Sequence, residues 1–308
     1  MLLSGKGRIE NYFSGINKIQ EAETKQTSQI QTTPEPTSTP ERTSQKVEII
    51  LTGDVMLGRS VMGKILDSGD VNYPFQNVAG ALRNADIVFI NLENPFVTGC
   101  PRKDIGEELI FCADPKIATS LVFAGIDVAN VANNHALDYG AAGLNETLSV
   151  LEEQGIRATG IGELKTVEIH GTRFGFLGFN YVSQSQSSTD LELIRKSDLQ
   201  VDVLLVGVHW GVEYQEASEN QRVWARNFIK NGADVVVGHH PHWVQESEYI
   251  DGKPVYYSLG NFVFDQMWSE RTKQGMAIRL TFEGGKLISE EKLPTYMTSW
   301  AQPEFINR

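Results

Sequence analysis

At 308 residues, 41% hydrophobic and 21% charged, the chain has the make-up of a globular protein of one large domain or two small ones. Its formal charge of −12 excludes a bare nucleic-acid binder, because phosphate recognition needs a basic surface. The same charge disfavours anionic polymers unless a metal or a local basic patch offsets the repulsion.

Along the chain, residues 1–45 hold little that can be buried. The stretch 21–45 (EAETKQTSQIQTTPEPTSTPERTSQ) reads as a disordered linker. The residues before it either form a short docking helix or lead on from an absent upstream anchor. No apolar run is long enough to span a bilayer, and MLLSGKGRIENYF is too short in apolar content for a signal peptide, so the sequence reads as soluble. A folded α/β domain is expected over 46–298, with a loose tail at 299–308.

VEIILTGD opens that domain as a buried strand. Helices are expected at 59–67 and 74–83, and DIVFINLE is a second buried strand. Residues 97–112 read as an excursion loop with a short strand at LIFCA. Asp114-Pro115 supplies the N-cap and first position of a helix to residue 124. DVANVANNH is a strand, and Leu144, Leu148 and Leu151 space an amphipathic helix over 139–154. Next come short strands at 157–159, 166–169 and 173–179, a helix at 189–199, the buried strand VDVLLVGVHWG, a helix at 219–230 and ADVVVGHHPH. Strands dominate the remainder, with a Glu-Gly-Gly-Lys hairpin turn between 275–283 and 286–294. Cys100 and Cys112 fit no metal-ligand spacing, and two free thiols are favoured over one loop disulfide.

Six apolar runs end in polar segments rich in metal-ligand residues, and five of the six histidines lie in three of them. Asp54 follows Gly53. Glu93 follows a buried strand, where a carboxylate is costly unless paired or metal-bound, with Asn91 placed to orient it. Asn134 and His135 offer an amide oxygen and an imidazole, and Asp138 is spaced to fix the His135 tautomer. His209 ends one buried strand. His240 and His242 alternate about Pro241, which would put both rings on one side of a strand, with His239 facing the other way. Asn261 is expected at the rim, Glu213 beside the ligands or the substrate, and Arg59 either in a surface salt bridge or paired with a substrate carboxylate or phosphate, with Trp210 and Trp243 as pocket walls. His170 reads as a surface residue. Two carboxylates, an Asn and several imidazoles exceed one tetrahedral zinc and suit a two-metal centre that activates water and clamps an oxyanion. His135 could serve there as general acid.

At Gly53-Asp54-Val55-Met56-Leu57-Gly58-Arg59, Asn91-Leu92-Glu93, Ala132-Asn133-Asn134-His135-Ala136-Leu137-Asp138-Tyr139-Gly140, His209-Trp210-Gly211, Gly238-His239-His240-Pro241-His242 and Ser258-Leu259-Gly260-Asn261-Phe262, the chain resembles the CapA family of poly-γ-glutamate capsule biosynthesis proteins. That family is similar to the calcineurin-like metallophosphoesterases. The resemblance implies a four-layer α/β/β/α sandwich with mixed sheets. It also implies Asp54, Glu93, Asn134, His209, His240 and His242 as ligands to one or two divalent ions (Mn, Zn or Fe), and His135 with Asp138 as the catalytic pair. Two departures stand out. Met56 occupies the place of a ligand His, and Glu93 replaces a bridging Asp, so the first metal position is a ligand short.

The implied function is a metal-dependent hydrolase in capsule, poly-γ-glutamate or other envelope-polymer biosynthesis. Its expected partners are an anionic polymer or precursor and other capsule-synthesis proteins, with no nucleic acid. By the same resemblance its place is the cell envelope, extracytoplasmic and tethered. A non-catalytic polymer-handling or transport accessory on the same fold is the alternative, and a cytosolic phosphoesterase is a third reading.

Overall fold

The computed structural model describes residues 45–306 apart from 105, 107 and 108. The N-terminal segment over 1–45, with the linker expected at 21–45, lies, but for Gln45, outside the described residues. Runs such as IILTGDV, IVFINL, VLLVGVH and VVVGH become central strands because their β-branched side chains are buried on both faces. In chain order the elements are β1 (Lys46–Val55), α1 (Arg59–Ser68), a 3-10 turn (Tyr73–Phe75), α2 (Ala79–Leu82) and β2 (Ile87–Leu92). Next come a 3-10 turn (Pro115–Ala118) running into α3 (Thr119–Ala124), β3 (Val128–Asn130), α4 (Gly140–Glu153), β4 (Arg157–Thr159), β5 (Lys165–Ile169), β6 (Thr172–Asn180) and α5 (Ser188–Asp198). The chain continues through β7 (Val203–His209), α6 (Glu219–Lys230), β8 (Val235–His239), β9 (Ser247–Ile250), β10 (Lys253–Tyr256), β11 (Asn261–Val263), α7 (Glu270–Lys273), β12 (Gln274–Glu283), β13 (Lys286–Ser299) and β14 (Gln302–Phe305).

Two mixed sheets result. The larger runs β14-β13-β12-β1-β2-β3-β4, with β11 also on β1, and the smaller runs β5-β6-β7-β8-β10-β9. One apolar cluster lies between them, joining Ile49, Phe89, Leu280 and Phe282 to Phe174, Phe176, Leu205 and Val237. A second seats helices α1 to α4 on the outer face of the larger sheet, through residues such as Val61, Leu82, Leu121 and Leu151. A third seats α5 and α6 on the smaller sheet through Ile194, Ala225 and Phe228. The architecture is therefore the four-layer α/β/β/α sandwich. β1-β2-β3 and β6-β7-β8 are parallel sets, so each sheet delivers several carboxyl ends to one edge.

Several expectations are corrected. The helix expected over 74–83 breaks into a 3-10 turn and the four residues of α2, since Pro74 starts a tight turn and Gly80 weakens the helix after it. LIFCA forms no strand. Leu109 and Ile110 are exposed, and only the Phe96–Ala113 bridge pairs there. Cys100 and Cys112 are joined in a disulfide, with Cα atoms 5.9 Å apart, rather than being free thiols. The expected tail is part of the sheet. β13 runs on to Ser299 and turns back as β14, burying Met297, Ala301 and Pro303. Pro303 sits on the edge strand β14, where a missing N–H is tolerated. Gly284 and Gly285 both take positive φ in the β12–β13 turn, as a type I′ hairpin requires. His170, exposed at φ 51°, forms the corresponding turn between β5 and β6 with Gly171.

Candidate metal centre

Asp54 sits at a bulge near the end of β1, where the register to both β2 and β11 shifts. Gly53 makes this possible: a Cβ there would lie 2.0 Å from the Gly260 carbonyl oxygen, which accepts the Asp54 N–H at 2.9 Å. Glu93 follows β2, Asn134 and His135 follow β3, His209 ends β7, and His239 to His242 leave β8. The structure brings Asp54, Glu93, Asn134, His135, His209, His240 and His242 into one neighbourhood. Glu93, His240 and His242 form one triad of potential ligands. Asp54, Glu93 and His209 form a second, each with its ligand atoms within 4.8 Å of one another.

Glu93 is the centre of it. Its side chain is buried, and neither carboxylate oxygen has a hydrogen-bond partner among the described residues. Its Oε1 lies 3.9 Å from His135 Nε2, 3.9 Å from His209 Nε2 and 3.8 Å from His242 Nε2. These separations are too long for hydrogen bonds, yet two metal–ligand bonds of about 2.1 Å span them. Burial, then the charges of Asp54 and Glu213, push the Glu93 carboxyl well above its ordinary value. Burial also acts on Asp54, but hydrogen bonding with His242, the nearby imidazoles and Asn91 outweigh it and hold that carboxyl below its usual range. Burial and the neighbouring imidazoles push His209 well below the ordinary histidine value, and burial with His242 takes His240 to about 4. Both rings are therefore neutral at pH 7, with lone pairs to give. An orphaned carboxylate facing neutral imidazoles is a donor set that a divalent cation completes.

The surrounding hydrogen bonds set which ring nitrogen faces inward. Asn261 Oδ1 accepts from His242 Nδ1 at 2.9 Å, which leaves the Nε2 lone pair toward Glu93. Asn261 is itself held by Gln266 Oε1 and the Thr272 carbonyl. Asp138 Oδ2 accepts from His135 Nδ1 at 2.8 Å in the same way. His209 Nε2 meets Asn134 Oδ1 at 2.8 Å, so the two groups share a proton where a cation would take both lone pairs.

Some expected roles change. Asn91 does not orient Glu93. Its Nδ2 donates to Asp54 Oδ1 at 2.9 Å and contacts His209 Nδ1 at 3.3 Å, while Asn130 Nδ2 donates to its Oδ1. His240 and His242 do not converge by strand alternation, because β8 ends at His239 and both take positive φ, 96° and 57°. Arg59 and Tyr214 are also left-handed, so four of the seven such non-glycine residues described sit around this centre. His239 points away to the Thr52 carbonyl, and Glu213 is exposed. Trp210 is no pocket wall. It is fully buried in the outer core and donates to the Tyr257 carbonyl. Trp243 is half-buried under the Arg271 guanidinium, 3.6 Å from its ring centroid. Met56 packs into the core, and its Sδ accepts from the Gly58 N–H.

Arg59 forms a buried ion pair with Asp265 at 2.6 Å instead of a surface one. Asp265→Ala leaves that guanidinium uncompensated and is expected to destabilise the protein by about 3–5 kcal/mol in denaturant unfolding; a loss below 1 kcal/mol would show the pair to be dispensable. Asn130, Asn133 and Phe111 escaped the sequence reading. The run Val-Ala-Asn-Val-Ala-Asn-Asn-His did signal the first two, since three amides at a buried strand end need partners. A groove of about 700 Å³ begins at Asn133 and Asn134 and passes Asn180, Tyr181 and Leu193 to Lys196.

Residues 48–266 match the sequence profile of the bacterial capsule synthesis protein PGA_cap. The chain belongs to this family. Its relatives include the capsule biosynthesis protein CapA of Bacillus anthracis, 31% identical over 77% of this chain and 64% of that protein. The PGA biosynthesis protein CapA of Bacillus subtilis strain 168 is 32% identical over 74% of this chain and 65% of that one. This PGA_cap chain thus spans just under two thirds of the length of either relative. Among solved structures, a hypothetical protein from Thermus thermophilus shares the fold, with a TM-score of 0.55 at 16% identity over 80% of this chain and 98% of the other. Among the described residues of this PGA_cap member, no helix is long and apolar enough to cross a membrane.

Proposed function

We propose that the protein is a metal-dependent hydrolase of an envelope polymer, with poly-γ-glutamate or a precursor of it as the substrate suggested by its relatives. The observation that carries this is Glu93, a buried carboxylate with both oxygens unpartnered among the described residues, ringed by His135, His209 and His242. A divalent ion held by Asp54, Glu93, Asn134, His209, His240 and His242 would supply Lewis acidity and a water of lowered pKa. The chain's own residues do the rest. His135, its Nδ1 proton engaged by Asp138, presents Nε2 to the centre, where it can take the proton released by an attacking water and pass it to a leaving atom. The groove, about 700 Å³ and open to solvent, has room for a segment of a chain-like substrate. Among the described residues its one lining cation, Lys196, faces Glu192 at 3.4 Å, so the negative charge of an anionic polymer is met at the centre rather than along the groove.

The disulfide supports an oxidising compartment, and with it the extracytoplasmic side of the envelope. Met56 favours a second reading, in which one metal position is too poor in ligands for turnover and the protein handles polymer without cutting it. Stripped protein reloaded with manganese is expected to hold at least one ion per chain, to turn over a chromogenic phosphodiester or a γ-glutamyl chain, and to lose metal affinity at least tenfold in His240→Ala. No ion in the wild type, or equal affinity in the variant, sinks the hydrolase reading. Polymer binding without cleavage, indifferent to His135→Ala, favours the second.

A further inference from the structure

Side chains from two distant stretches meet beside His135 and Asp138. The Phe111 ring lies nearly parallel to the His135 imidazole, with centroids 3.7 Å apart and planes 14° from coincidence. The Arg59 guanidinium carbon sits 4.2 Å from the same Phe111 centroid. The Phe111 backbone N–H donates to Asp138 Oδ2 at 2.6 Å, and that oxygen also accepts from His135 Nδ1 at 2.8 Å. Phe111 therefore touches both the imidazole and the carboxylate that orients it.

No strand holds Phe111 in place. Leu109 and Ile110 before it are exposed, at 73% and 39%. The residues after it are fixed. Cys112 is cross-linked to Cys100 across 12 residues, and the Ala113 N–H donates to the Pro95 carbonyl at 2.9 Å. The Cys112 carbonyl is pressed against Gly58, where a Cβ would lie 2.3 Å from its oxygen. The cross-link thus closes the loop at the residue next to Phe111. The metal-facing groups at Asp54, Glu93, His209, His240 and His242 come from strand ends outside this loop.

We propose that Phe111 is a positioning residue for His135 and that the Cys100–Cys112 disulfide keeps it seated. The reduced protein then keeps its metal affinity but turns over slowly. This rests on the hydrolase reading for its effect on rate, though not for its effect on the ring. A phosphine reductant breaks the S–S bond, takes oxygen from water to become the phosphine oxide, and leaves two thiols. The loop then loses its closure, Asp138 loses a backbone donor, and His135 loses its stacked face.

The test uses the full chain loaded with zinc and read by NMR, and in parallel loaded with manganese and assayed on a phosphodiester with an alkyl leaving group. Stacking on Phe111 should shift the His135 ring protons upfield. The shift is expected to vanish in Phe111→Leu, in the Cys100→Ser/Cys112→Ser double variant and after reduction, and to persist in Phe111→Tyr. In the first three, kcat should fall about 10- to 100-fold with KM within about twofold and metal affinity unchanged, and Phe111→Tyr should restore it. Unaltered His135 ring shifts after reduction, or a fall in metal affinity matching the fall in kcat, would overturn the proposal. If the metal-loaded wild type shows no turnover at all, the hydrolase reading fails, and the ring shifts still decide whether the disulfide seats Phe111; if it turns over and His135→Ala leaves kcat intact, the proposed effect on rate is overturned.

Discussion

Glu93→Gln is expected to weaken metal binding at least 100-fold and, in the metal-free protein, to raise stability. The two effects have one cause. The carboxylate is buried among groups that cannot donate to it, and Asp54 stands close by with its own negative charge. In the metal-free state Glu93 therefore holds a proton above the ordinary range. Between the unfolded carboxyl value near 4.5 and the raised folded value, the folded state binds more protons than the unfolded one. Stability then falls as pH rises through that window. Glutamine cannot ionise, so this loss disappears, with a gain at neutral pH on the order of 1–3 kcal/mol. Thermal unfolding of chelated wild type and variant from pH 5 to 8 reads it: the wild-type curve should decline toward high pH relative to the variant. The metal-induced rise in Tm should be absent in the variant, with affinity reduced at least 100-fold, beyond what outer partners cost. His240 works with the opposite sign. Its folded value near 4 lies below the unfolded one, so its contribution is lost as pH drops from about 6.5 toward 4. A variant that binds manganese as tightly as wild type would remove Glu93 from the centre.

That Glu93 would lie among other ligating side chains was legible because β2, apolar but for Asn91, meets a carboxylate at its end. The same signature exposed Asp54, His209 and the His239–His242 segment, since a buried strand end admits a charged or ligating group only for a reason. Partnerships were less legible than membership. Asn91 was matched to Glu93 by proximity in sequence, yet the alternation of β2 turns it to Asp54 across the β1–β2 pair. His240 and His242 were given strand geometry, while the chain uses left-handed backbone that no pattern of residue types announces. The stack of Phe111 on His135 and the disulfide that closes its loop depend on where 97–112 folds back, and nothing periodic in that stretch says so. The last strand was missed because its four residues, Gln302–Phe305, are too short to show an alternation and pair only with the end of β13.

His135→Ala is expected to lose turnover while keeping the metal, and the loss should depend on what departs. The imidazole is fixed by Asp138 at Nδ1 and faces the centre through Nε2, 3.9 Å from Glu93 Oε1. It stands outside both ligand triads, so its removal leaves Asp54, Glu93, His209, His240 and His242 in place. A group so placed helps by protonating the leaving atom, worth about 10²–10⁴ in rate where that atom is basic. A nitrophenolate departs without such help, whereas an alkoxide or an amine does not. The variant should therefore fall by about two to four orders of magnitude on an alkyl ester or a γ-glutamyl amide, and far less on a nitrophenyl ester. Metal content and the metal-dependent Tm shift should match wild type. Equal losses on both leaving groups would assign His135 to charge stabilisation rather than proton donation. Loss of the metal together with the activity would make it a ligand. Only the leaving-group dependence separates a proton donor from every other role that a histidine at this distance could fill.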